Sequence, residues 1–149
     1  MVEVLFYQLE RRPLEAVLPQ LLERTLERGW RACVQADSEE RVEALSSALW
    51  TWREEAFLPH GTARDGNGEL QPIWLTAGDD NPNRAVVRFL VDGAAAGSLE
   101  GLERAVYVFD GRDPAALDQA RLRWTQAREA GHDVTYWQQD EDGRWIKRA

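Results

Sequence analysis

Residues 105–139 read AVYVFDGRDPAALDQARLRWTQAREAGHDVTYWQQ. Ala105 to Phe109 is an uninterrupted apolar run of β-forming residues, which predicts a central strand covered on both faces. Asp113-Pro114 predicts a helix start, with Asp as the N-cap and Pro as the first helical residue. The helix runs to about Ala130, and Asp133 to Gln139 returns to a strand. Strand, helix and strand in this order predict a βαβ unit with parallel strands.

The same alternation extends upstream. Val2 to Leu9 reads as a first strand. Leu14, Val17, Leu18, Leu21, Leu22 and Leu26 recur at helical spacing and Gly29 closes that helix, with Pro19 either kinking it or marking its real start. Trp30 to Ala36 reads as a second strand. Asp37 then caps a helix with Glu40 in the reciprocal position; Val42, Leu45, Ala48, Leu49 and Trp52 form its buried face, and Trp50 lies off that face. Phe57 to Leu70 reads as a loop, Gln71 to Thr76 as a third strand, Gly78 to Asn83 as a turn, Arg84 to Val91 as a fourth strand and Gly143 to Arg148 as a short tail. The expectation is an α/β chain: one Rossmann-like three-layer domain over residues 1–149, with a mostly parallel central sheet flanked by helices. The short link between Thr76 and Arg84 leaves an α+β fold with an antiparallel half open.

The chain has 149 residues, 18 basic and 26 acidic side chains and a net charge of −8. That length suits one domain, and 44% apolar with 30% charged residues describes a folded chain. The acidic balance speaks against a protein that lives on nucleic acid phosphates, so no direct specific nucleic-acid binding is expected. Cys33 is the only cysteine, which leaves no intramolecular disulfide and no cysteine-based zinc cluster. No signal peptide is visible at the N-terminus, and the longest apolar run is far short of a membrane span. A soluble, cytoplasmic protein away from membranes is expected.

The motifs of nucleotide and nucleophile chemistry are missing. Glu10-Arg11-Arg12-Pro13 stands where a glycine-rich phosphate turn would follow the first strand, and no Gly-Lys-Ser/Thr occurs. Cys33, inside an apolar strand, reads as a small core residue. His60, between Pro59 and Gly61, has no serine or cysteine elbow to serve; a small α/β enzyme using His60 with Asp37 or Asp110 is the alternative reading. His132 reads as a solvated turn residue. Asp79-Asp80 and Asp140-Glu141-Asp142 read as solvated turns without calcium-loop spacing. No catalytic residue, cofactor or metal is expected.

The long helix carries the one unusual patch. Beside a core stripe of Ala116, Leu117, Ala120, Trp124 and Ala127, residues Arg121, Trp124, Thr125 and Arg128 share one edge. From Arg121 to Arg128 there are three arginines and no acid, a local reversal of sign. Such an edge could take carboxylates by bidentate pairing while the indole takes an apolar side chain. It could equally be a solvated face beside a core tryptophan. Trp50 and Phe57 could complete an apolar pocket.

Leu5-Phe6-Tyr7, Ala48-Leu49-Trp50, Phe57-Leu58-Pro59-His60-Gly61, Gln71-Pro72-Ile73, Phe109-Asp110-Gly111, Ala120-Arg121-Leu122-Arg123-Trp124, Gly131 and Gly143-Arg144-Trp145 occur in an order that resembles the chi subunit family of bacterial DNA polymerase III. The resemblance implies a Rossmann-like, non-catalytic accessory subunit of the replicase. Such a subunit links the clamp-loader complex, through the psi subunit, to the acidic C-terminal tail of single-stranded DNA-binding protein, which ends in an aromatic residue with a free carboxylate. It also implies a tail-binding surface at Arg121 and Trp124, with Thr125, Arg128 and Trp50 nearby. Thr125 departs from the basic residue of some members.

Overall fold

A computed structural model describes residues 2–51 and 59–149. Its strands are β1 (Glu3–Leu9), β2 (Ala32–Gln35), β3 (His60–Gly61), β4 (Ile73–Thr76), β5 (Val87–Leu90), β6 (Arg104–Asp110), β7 (Asp133–Gln139) and β8 (Trp145–Lys147), and its α-helices are α1 (Leu14–Glu27), α2 (Glu39–Thr51) and α3 (Pro114–Glu129). The strands form one sheet in the order β3-β4-β2-β5-β6-β1-β7-β8. Every adjacent pair is parallel except β7 and β8.

Apolar alternation assigns each face. Leu5 and Leu9 of β1 and Val106 and Val108 of β6 join the core beneath α1 and α2, with Leu18, Leu22, Leu45 and Leu75. Val4, Phe6 and Ala105 point the other way, against Ala120 and Ala127 of α3. Helices therefore cover both faces: α1 and α2 on one, α3 over β1, β6 and β7 on the other. This is the α/β three-layer arrangement expected, with β6 between β5 and β1. Both long helices end alike. Trp30 N–H reaches the Thr25 carbonyl and Gly29 N–H that of Leu26; His132 N–H reaches Ala127 and Gly131 N–H Arg128. This pairing needs a residue at positive φ, and Gly29 (80°) and Gly131 (85°) supply it. Pro19 lies buried within an unbroken α1.

Several local expectations are corrected. The antiparallel half does not form, because β4 and β5 both pair with β2 and not with each other. The fourth strand starts at Val87, since Arg84 sits at φ 53°, a left-handed conformation incompatible with a strand. Asp37 does not cap α2: the Arg41 N–H donates to Ser38 Oγ at 3.2 Å, which makes Ser38 the N-cap and takes Glu40 out of the reciprocal position. The predicted loop contains β3, and the predicted tail forms β8 against β7. Trp52, assigned to the buried face of α2, lies outside the described residues, as does Phe57. No helix among the described residues is long and apolar enough to cross a membrane.

Candidate functional site

Helix α3 begins as its sequence dictates. Asp113 accepts the Ala115 N–H at 3.0 Å, and Pro114 takes the first turn. Ala120 and Ala127 are buried toward the sheet. Trp124 sits at the border of that contact. Its indole meets Phe6 and Tyr136 edge-on, each with ring centroids 5.8 Å apart, and part of the side chain stays open to solvent. Burial raises the Tyr136 pKa, and the nearby Arg121 charge opposes the rise.

On the open side, Arg128 lies over the Trp124 ring, 6.0 Å from its centroid. Arg121 has Asp118 as its nearest carboxylate, at 3.9 Å with the two side chains 76% and 79% exposed. A pair so long and so wet contributes little. Among the described residues no carboxylate lies within ion-pairing distance of Arg128. The Thr125 hydroxyl donates to the Arg121 carbonyl at 3.1 Å, so it offers little to a ligand. Trp124, Thr125, Arg128 and Glu129 line a shallow hollow of about 350 Å3. Arg123, the third arginine, points elsewhere: it covers Tyr107 and donates to the Gly93 carbonyl at 3.0 Å. Two residues escaped the sequence reading. Glu129 puts an acid into the hollow, and Leu122, 59% exposed, extends the apolar surface one turn before Thr125. A leucine three residues from Thr125 and off the alanine stripe was the available signal.

The structure does not bring Trp50 to this groove. Its ring, 57% exposed, lies 4.9 Å from His60 at the β3 edge, while α3 packs on the opposite face over β1, β6 and β7. Nor does it assemble the alternative enzyme site. His60 is buried with Nε2 3.2 Å from Ser46 Oγ, whereas Asp37 and Asp110 line a separate cavity.

That cavity, about 740 Å3, lies between the N-termini of α1 and α3 at the carboxyl ends of the strands, the place where α/β sheets bind nucleotides. Here Arg41 is held by Glu15 at 2.9 Å and Asp92 at 2.8 Å. The turn after β1 is closed to phosphate: the amides of Glu10, Arg11 and Arg12 all donate to Gln139 Oε1, at 2.8, 3.0 and 3.3 Å. A neutral side-chain oxygen thus fills the nest that a phosphate would occupy.

The remaining candidates are structural. Cys33 is fully buried and desolvation pushes its thiol up to about 12, so it is protonated and unreactive at neutral pH. His132 is no solvated turn residue, because its Nδ1 accepts the Val2 N–H at 3.2 Å and ties down the start of the chain. Asp80 is also engaged. Burial works against its carboxylate, but hydrogen bonds from Thr76 and Trp74 outweigh that and lower its pKa. Among the described residues no group of three potential metal ligands occurs.

Residues 1–135 match the family model described as DNA polymerase III chi subunit, HolC. The chain is 30% identical over 139 residues to DNA polymerase III subunit chi of Pseudomonas aeruginosa, covering 90% of this chain and 94% of that protein. It is 27% identical over 96 residues to the probable DNA polymerase III subunit chi of Rickettsia prowazekii, covering 64% of this chain and 58% of that protein, less than two thirds of its length.

Proposed function

The chain belongs to the DNA polymerase III chi subunit family, and from that premise we propose that it is a non-catalytic accessory subunit of the clamp-loading complex in the bacterial cytoplasm. In this reading the α3 groove binds the acidic C-terminal tail of single-stranded DNA-binding protein. The observation that carries it is a half-open Trp124 flanked by two arginines, neither held by a close carboxylate among the described residues. Arginine forks suit the carboxylates of such a tail, and the indole with the hollow beside it suits its terminal aromatic ring.

A linking subunit needs a second surface. Trp50, exposed at the other edge of the sheet, is our candidate contact for the psi subunit, which leaves the α3 groove unobstructed. Exposed ion pairs contribute ~0–1 kcal/mol each, so tail binding is modest and weakened by salt.

Calorimetric titration of a peptide ending Asp-Asp-Phe with a free carboxylate tests the tail assignment. Arg121→Ala and Arg128→Ala are each expected to weaken binding by about fivefold, the equivalent of ~1 kcal/mol, with thermal stability unchanged. Equal affinity of wild type and both variants would reject the site.

A further inference from the structure

The face of the sheet away from α3 carries a second, separate meeting of cations and aromatic rings. Helix α1 packs on β2 and β6 and α2 on β4. Farther out, β7 and β8 turn Trp137 and Trp145 to this same face. The register places Tyr7 beside Trp137 and Trp137 beside Lys147, so the three residues form one row across β1, β7 and β8. Tyr7 and Trp137 lie nearly parallel, 17° apart with centroids at 6.3 Å, and Trp145 meets Tyr7 edge-on at 4.8 Å. Both indoles are only partly buried.

Tyr7 also borders a hollow of about 170 Å3 between α1 and the sheet, lined by Arg24, Arg28 and Arg104. Glu3 neutralises Arg104 at 2.6 Å. Among the described residues no carboxylate lies within ion-pairing distance of Arg24, Arg28 or Lys147. Arg28 and Arg104 sit over Trp30 at 5.3 and 5.2 Å, which fixes the Arg28 head near the mouth of the hollow. The strip thus runs from unneutralised guanidinium groups, across aromatic rings on neighbouring strands, to an unneutralised ammonium.

We propose that this strip is a weak, sequence-independent binding surface for single-stranded nucleic acid, with backbone phosphates on Arg24, Arg28 and Lys147 and bases on Trp137 and Trp145. Stacking rings on adjacent strands, with cations tracking a backbone beside them, is the arrangement that single strands recognise. An acidic peptide would concentrate its charge on one cluster and bring one aromatic end; here two indoles sit on strands about 5 Å apart, with cations on either side. A duplex hides its bases and cannot use the rings. The net charge of −8 denies the surface long-range attraction, so binding belongs to low ionic strength and short range.

The test is fluorescence anisotropy of the full chain with a labelled thymidine homopolymer of about 20 nucleotides, titrated across salt concentrations. Wild type is expected to bind at low salt. Arg24→Gln combined with Arg28→Gln keeps the aliphatic stems and is expected to lose at least about tenfold in affinity, with the slope of log K against log salt flattened by about 1.4 for two lost phosphate contacts. Trp145→Ala is expected to weaken binding without flattening the slope. Circular dichroism confirms that each variant folds, and Lys147→Glu replaces the double variant if it does not. The proposal is overturned by no binding of wild type at low salt, by unchanged affinity in the charge variants, by equal affinity for duplex, or by displacement of the strand by an acidic peptide that maps to this face. Loss of binding in Arg121→Ala instead would move the site to α3, which also overturns it. The tail assignment stands or falls separately, since α3 lies on the other side of the sheet.

Discussion

Trp124 does two jobs, and they pull its substitutions apart. One edge packs on Phe6 and Tyr136 while the rest borders the groove. Trp124→Ala is therefore expected to cost both peptide binding and ~0.5–3 kcal/mol of stability, read by titration and by chemical denaturation. Glu129 is the cleaner probe of electrostatics, because it lines the hollow without helping to build the core. Glu129→Gln is expected to tighten the acidic peptide about two- to fivefold at low salt, by removing a repulsion of ~0.5–1 kcal/mol; unchanged affinity would place the tail away from the hollow. Helical spacing alone put Arg121, Trp124 and Arg128 on one edge, and in the structure Arg128 lies over the Trp124 ring. The same reasoning misplaced Trp50. Helical phase showed that it leaves the core of its own helix, but which face of the sheet that helix covers depends on chain crossovers that no local pattern encodes.

Elements with strong local signals were readable and short ones were not. Asp113 with Pro114 marked the start of α3, and Asp113→Ala is expected to lower the melting temperature through a loss of ~0.5–2 kcal/mol. Strands β3 and β8 have two and three residues, too few for alternation to rise above noise. They exist because β4 and β7 offer them unpaired edges. Ser38 took the cap expected of Asp37 because α2 starts at Glu39, and one residue of slippage exchanges the two roles. Gln139 was invisible in sequence, since its three amide donors lie 127 to 129 positions away. Its oxygen, on a buried side chain, closes the turn after β1, so Gln139→Leu removes the acceptor of three amides at once. Denaturation is expected to show a loss of ~1–3 kcal/mol.

Across the whole molecule, charge is arranged in patches against an acidic background. Glu15 and Asp80 both have lowered pKa values. For Glu15 the largest cause is its hydrogen bond from Arg41; for Asp80 the hydrogen bonds from Thr76 and Trp74 overcome burial. A carboxylate with a depressed folded pKa contributes its full stabilisation above the unfolded value of about 4, and loses it as pH falls through the folded value. Melting temperature is thus expected to fall as acid approaches and passes that range, and Asp80→Asn to be less stable at neutral pH with a shallower acid decline. The layer order was legible because the apolar run of β6 and the Asp113-Pro114 start of the helix after it are strong local signals; the face on which Trp50 lies was not, because it depends on which face of the sheet each helix covers. The proposed grip of the α3 edge on an acidic peptide end is read from the tryptophan indole N–H resonances as the Asp-Asp-Phe peptide is added. The Trp124 signal is expected to move first and to saturate with the calorimetric affinity, and blocking the peptide's terminal carboxylate is expected to weaken the effect. Movement of Trp50, Trp137 or Trp145 with Trp124 unmoved would contradict it.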